Sequence, residues 1–233
     1  MNPSKSLWAE FVGTFTLCFI GQGAICVNQM MGASGPGLVG IAIAHGLALA
    51  VMISALGAVS GGHFNPAVTF GFLLTGKQKL GAAIGYWIAQ LAGAVVASVL
   101  LTKVFPASVW QECKLGAAAL APGISPMAGA GVELVLAFFL VTAVWGTAVD
   151  PRAPKVGGFA IGLAVLMGIL MAGPITGAAI NPARAFGAAL VAGAWDNAWV
   201  WWVGPLAGGA IGALAYSRFC MPDESGGRAS KAA

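Results

Sequence analysis

The triplet Asn-Pro-Ala occurs twice in this chain, as Asn65-Pro66-Ala67 and Asn181-Pro182-Ala183, each time in strongly apolar surroundings. Proline lacks the donor that would continue a helix, and the residue before it avoids the helical region, so each triplet ends a preceding helix. Hydrocarbon does not tolerate the freed backbone groups. Such a break persists only where protein or a water-filled cavity covers it. One break in each half of the chain therefore implies a pore.

Composition sets the solvent. Apolar residues make up 59% of the chain and charged residues 8%, where a soluble domain carries about 25% charged residues. The chain reads as an all-α membrane protein with a single domain over residues 1–233. Its 35 glycines suit helices that approach closely in lipid. The net charge of +4 does not mark a nucleic-acid surface, because the basic residues are scattered between apolar runs. The four cysteines have no metal-ligand spacing and no CxxC pair. Cys18, Cys26 and Cys220 are expected to pack, and Cys113, in a polar stretch, to be a free thiol. His45 and His63 have no HExxH pattern and no neighbouring carboxylate. Neither catalysis nor a metal or cofactor is expected.

A span needs about 20 apolar residues. Six runs qualify, at about 7–30, 37–59, 80–104, 127–149, 156–173 and 198–219, and two shorter pieces lie near 65–76 and 181–192. A piece of about 12 residues makes a helix of about 18 Å, enough to reach the midplane from one side. Lys5, Lys77, Lys79, Arg152, Lys155, Arg218, Arg228 and Lys231 fall on one side of this layout, which the positive-inside rule makes cytoplasmic, with both termini. Lys103 and Lys114 fall on the other side, in a loop around 105–126 expected to cover the outer mouth. The run after Lys5 reads as a retained first span, not a signal peptide. The tail 221–233 reads as disordered.

The halves, about 7–104 and 127–219, repeat one plan: a Glu early in the first span (Glu10, Glu133), then Asn-Pro-Ala after the second span. Three spans per half is an odd number, so the second copy is inverted. Asn suits an N-cap and Pro the first helical position, so each triplet starts a half-helix. Its Asn oxygen would accept from its own helix and its NH2 would face the cavity. Two such donors would hold one water by its oxygen and turn its hydrogens away from each other. The paired helix N-termini, each worth about half a positive charge, would oppose cations.

Three stretches carry a family likeness: Ser60-Gly61-Gly62-His63-Phe64-Asn65-Pro66-Ala67-Val68-Thr69, Gly173-Pro174-Ile175-Thr176-Gly177-Ala178-Ala179-Ile180-Asn181-Pro182-Ala183-Arg184-Ala185-Phe186, and Trp202-Val203-Gly204-Pro205. With them the chain resembles the aquaporin (major intrinsic protein) family from Glu10 to about Tyr216. The resemblance implies six transmembrane helices plus two half-helices, a homotetramer with one pore per subunit, and a selectivity filter of His45, Ile169, Ala178 and Arg184. It also implies that Glu10 and Glu133 support the loops before the half-helices. His63 would line or brace the cytoplasmic half of the pore.

Ile169 and Ala178 depart from water-selective members and are similar to the filter of plant tonoplast intrinsic proteins. No third His is available for the outer-loop contact that some of those proteins use. Ala185 stands where glycerol channels of the family carry Asp. The implied function is a passive channel for water and small neutral solutes (ammonia, hydrogen peroxide, urea, glycerol) that excludes protons and ions. The alternatives are a channel mainly for another neutral solute, or a structural membrane protein with a closed pore. The expected site is the cell (inner) membrane, with the vacuolar membrane as the alternative.

Overall fold

The structure is a computed structural model that describes residues 2–222. Of the tail expected to be disordered, residues 223–233 lie outside the described residues. The elements in order are α1 (Pro3–Met31), α2 (Gly37–Ser60), α3 (Pro66–Leu74), α4 (Leu80–Val104), α5 (Ala107–Glu112), α6 (Pro126–Val144), α7 (Phe159–Thr176), α8 (Pro182–Ala192) and α9 (Val200–Phe219). Among the described residues there is no strand. The expected six spans are α1, α2, α4, α6, α7 and α9, and α3 and α8 are the half-helices. Five of the spans are long and apolar enough to cross a membrane on those grounds alone. The sixth, α9, has 20 residues that include Trp201, Trp202, Pro205 and Arg218, and it packs along α6.

Contacts follow the inverted repeat. In one half α1 packs on α2 and α4; in the other α6 packs on α7 and α9. The half-helices cross over, with α3 against α9 and α8 against α4. Small residues permit this closeness. Gly46 of α2 and Gly162 of α7 sit so that a Cβ on either would meet the other's carbonyl oxygen. A Cβ on Gly93 would meet the Phe11 carbonyl of α1, and one on Gly208 the Leu134 carbonyl of α6. Large apolar side chains point outward in helical stripes, among them Val39, Ile43, Leu47 and Val51 on α2. Stripes of this kind need lipid or another apolar surface to cover them.

Two boundaries differ from the sequence reading. The expected span 156–173 begins at Phe159, because Pro154 and Gly157 (φ 59°) shape the preceding turn and the Gly158 N–H donates to Ser54 Oγ at 3.0 Å. It ends at Thr176, because Gly177 takes the left-handed conformation (φ 77°) and its N–H bonds the Gly173 carbonyl; Pro174 stays inside the helix at the loss of one helical N–H bond. The end of α6 winds into a π turn, Trp145–Val149, followed by buried Asp150. Arg152 pairs with Asp150 at 2.7 Å and donates to the Cys220 carbonyl, which ties this turn to the end of α9. The Arg152 guanidinium holds the Asp150 carboxyl well below its usual range. Cys220, expected to pack, is exposed, because it lies past the last turn of α9.

Overpacking a tight helix contact costs about 1–3 kcal/mol. Gly208→Val should therefore lower the melting temperature of the detergent-solubilised protein clearly, whereas Gly81→Ala, with nothing within 4 Å of the new methyl, should leave it within error. Scanning fluorimetry of the two variants checks this.

Candidate functional site

Two irregular loops lead into the half-helices and share one geometry. Gly61, Gly62 and Phe64 before Asn65 have φ of 92°, 65° and 47°; Gly177, Ala178 and Ile180 before Asn181 have 77°, 42° and 57°. Holding a non-glycine residue in this region costs about 1–3 kcal/mol. A buried carboxylate offsets that cost in each half. Glu10 Oε1 accepts from Ser60 Oγ (2.7 Å) and the His63 N–H (3.0 Å), and Oε2 from the Phe64 N–H and Gln90 Nε2 (both 2.7 Å). Glu133 Oε1 accepts from Thr176 Oγ1 (2.7 Å) and the Ala179 N–H (2.9 Å), and Oε2 from the Ile180 N–H (2.7 Å). Every partner is a donor, the surroundings an ionised carboxylate needs. Hydrogen bonds to a charged acceptor contribute about 1.5–3 kcal/mol each, so the loops are held against their strain.

Ser60 and Thr176, in equivalent positions ahead of the two triplets, complete each loop. The Ser60 hydroxyl accepts from the Gly62 N–H and the Thr176 hydroxyl from the Ala178 N–H, both at 3.1 Å. Tyr86 OH donates to the Ser60 carbonyl at 2.6 Å and Trp201 Nε1 to the Thr176 carbonyl at 2.9 Å. The sequence reading quoted Ser60 and Thr176 only within the family motifs and gave no role to them, to Tyr86, to Trp201 or to Gln90. The repeated offset of Ser60 and Thr176 from each Asn was the available signal.

The half-helices then meet. Asn65 Oδ1 accepts from the Ala67 N–H (2.8 Å), and Asn181 Oδ1 from the Ala183 (3.0 Å) and Arg184 (3.3 Å) N–H groups. Asn65 Nδ2 donates across to the Ile180 carbonyl at 3.1 Å, and Asn181 Nδ2 to the Phe64 carbonyl at 2.8 Å. This refines the expectation that each NH2 simply faces the cavity. One hydrogen of each is spent on the opposite loop, and the second remains for the lumen. Pro66, Ala67, Pro182 and Ala183 are buried behind the contact.

A cavity of about 20 Å³ open to a water molecule's centre runs past these groups. That is enough for water, which needs about 10–15 Å³ by this measure, and not for a wide chamber. Its lining contains His45, Ile169, Ala178 and Arg184 together, with Asn65, Asn181 and His63. Leu17, Leu49, Leu140, Val144 and Val165 supply an apolar wall. Glu10 and Glu133 stay outside the lining, fully buried behind the loops. His63 both lines the cavity and braces it: Nδ1 lies 3.0 Å from Thr69 Oγ1, and the ring lies 4.2 Å from that of Phe72.

His45 Nδ1 bonds the Ile41 carbonyl at 2.9 Å, so that nitrogen carries the proton and Nε2 is left as an acceptor. Gly21 of α1 makes room for this ring, and Gly13 for that of Phe64; a Cβ at either would strike it. Arg184 is 3% exposed, yet its Nε and Nη1 and His45 Nε2 have no hydrogen-bond partner among the described residues. Among the same residues the one ion pair is Arg152–Asp150.

The model of the family described as "Major intrinsic protein" matches residues 1–216. The chain belongs to the major intrinsic protein family. Among its relatives within that family are the probable aquaporin TIP3-2 of Arabidopsis thaliana, 42% identical over 94% of this chain and 84% of that one, and aquaporin TIP1-2 of Zea mays, 44% identical over 92% and 85%. The X-ray structure of the aquaglyceroporin from Plasmodium falciparum superposes with a TM-score of 0.83 at 25% identity, covering 94% of this chain and 97% of that one. This likeness bears out the major intrinsic protein fold expected from the two triplets.

Glu133→Gln keeps the shape but puts an NH2 where an acceptor faces a backbone donor. A buried donor left unsatisfied costs about 1–3 kcal/mol. The variant should unfold at lower temperature and lose most of its water permeability in vesicles, whereas Thr16→Val, at a hydroxyl bonded only within α1, should lose neither.

Proposed function

We propose that this major intrinsic protein conducts water and small neutral solutes through the cavity between the half-helices, and turns back protons and ions there. The observation that carries the reading is the crossed pair of Asn caps, Asn65 to Ile180 and Asn181 to Phe64, bordering a cavity with room for water. A water passing this point can accept from the remaining Nδ2 hydrogen of each Asn. Its own hydrogens then point toward the two mouths, and a continuous proton wire is interrupted. The N-termini of α3 and α8 add partial positive charge at the same place. Toward the outer mouth, Arg184 adds a full charge and free N–H donors, and His45 Nε2 offers an acceptor. A dry cavity would leave these buried polar groups unsatisfied, which is costly; passing water or solute satisfies them. The apolar wall offers no competing bonds, so a molecule moves along one polar side.

The filter explains breadth. Ile169 and Ala178 add no hydrogen-bonding groups, so Arg184 and His45 do the polar recognition. That supports passage of neutral solutes beyond water. The closed-pore alternative is disfavoured, because the lining runs from Gly62 and His63 on one side of the Asn pair to Arg184 and His45 on the other. Lys5, Lys77, Arg152 and Arg218 lie at the end of the bundle that holds the N-terminus, which supports cytoplasmic termini. The outward apolar stripes support a membrane-embedded protein, in which lipid or, in the homotetramer that the family resemblance implies, neighbouring subunits cover them.

Vesicles containing the protein should shrink in a hyperosmotic step several-fold faster than empty ones; equal rates would end the channel reading. Arg184→Val should raise proton leak measured with an internal pH dye, without abolishing water flow. Ile169→His should cut uptake of glycerol and urea by severalfold while water flow stays within a factor of about two, a change of about 0.4 kcal/mol in barrier.

A further inference from the structure

The pore leaves one pair of reactive side chains unused. Cys26, in the last turns of α1, is fully buried, and Cys113, just after α5, is partly exposed. They are 87 positions apart in the chain, yet their sulfurs lie 3.5 Å apart. The surroundings fix this approach. Leu115 is fully buried in one cluster with Cys26, Leu101 and Ala188, and a Cβ on Gly116 would strike Ile25. Lys114, Leu115 and Gly116 hold φ of 49°, 53° and 65°, which folds the chain back sharply onto α1. A disulfide needs the sulfurs at about 2.05 Å, so they would have to close by about 1.5 Å to form one. Neither Cys18, fully buried, nor exposed Cys220 has a recorded thiol partner.

The geometry points to Cys26 and Cys113 as a reversible covalent modification site on the face opposite the N-terminus, where hydrogen peroxide oxidises the two thiols to a disulfide. Cys113 attacks first, because it is the more accessible, and its thiol is held below its ordinary value by the bond from Cys26 and by the Leu115 and Gly116 N–H groups. Its thiolate attacks one peroxide oxygen. The O–O bond breaks, Cys113 becomes a sulfenic acid, and the departing hydroxide takes up the thiol's proton as water. The Cys26 sulfur then attacks the sulfenic sulfur. The S–O bond breaks, and the hydroxyl leaves with the Cys26 proton as a second water. Two thiols lose two electrons and one peroxide gains them.

The bond would tie α1 to the segment that borders the pore's outer mouth. Past Gly116 the chain brings Ala118 against Gly177, next to Ala178, and the Ala121 N–H donates to the Ile175 carbonyl at 2.9 Å. Val191 and Ala192, at the end of α8, pack on the same cluster.

The test uses the full-length protein in lipid vesicles, with hydrogen peroxide as the probe at a concentration that oxidises Cys220. The protein is then unfolded in sodium dodecyl sulfate, free thiols are blocked with N-ethylmaleimide, and non-reduced chymotryptic peptides are mapped by mass spectrometry. The expected result is a linked peptide containing Cys26 and Cys113 that dithiothreitol separates. In Cys26→Ala the sulfenic acid has no partner, so dimedone labelling of Cys113 should rise several-fold over the wild type. The proposal is overturned if Cys26 remains fully blocked by N-ethylmaleimide after peroxide. It is equally overturned if Cys113 links to another molecule instead, or if dimedone labelling does not rise in the variant.

Discussion

Two buried carboxylates decide this structure. Each pore loop holds its backbone in a region that side chains disfavour, so that its carbonyls and the following helix N-terminus can face a lumen. Nothing in hydrocarbon would keep it there. Glu10 and Glu133 do so by collecting backbone N–H groups that no helix uses, with a hydroxyl from Ser60 or Thr176 as a further donor. Burying a charge is costly unless donors surround it; here the donors are the strained loops themselves. The two problems solve each other, once in each half.

From that constraint the lumen follows. With both loops fixed, the half-helices enter from opposite faces and cap one another across the pseudo-two-fold axis. Strained backbone and polar caps fall on one side of the path, and the apolar faces of α2, α6 and α7 form the other. Such a surface holds a molecule at a few places and binds it nowhere strongly, as rapid passage requires. Glycine contributes at a distance from this path. Gly13 and Gly21 on α1 leave space for Phe64 and His45, so the width of the lumen depends on a helix that hardly lines it.

The plan of spans and half-helices was legible because apolar length and the two Asn-Pro-Ala triplets are strong local signals. The polar lining was legible too: Arg184 and the two Asn side chains have no reason to lie in apolar segments unless a cavity receives them. What escaped was set by contacts between distant segments. Gln90 looks like any polar residue in α4 until it reaches Glu10. Tyr86 and Trp201 act through bonds to carbonyls of the pore loops. Cys26 read as a packing residue because its partner lies 87 positions away. The expected span stopped at residue 173, whereas α7 runs through Pro174 to Thr176 and is ended by the left-handed Gly177.

The central claim is that solute travels along the cavity bordered by Ala178, His45 and Arg184. Ala178→Cys places a thiol on that lining, and a small thiol reagent such as methanethiosulfonate ethylammonium would then add bulk and charge to the lumen. Stopped-flow water permeability of vesicles should fall severalfold on treatment, recover with dithiothreitol, and be unaffected in the wild type. Permeability that stays high after full modification of residue 178, verified by mass, would contradict the account.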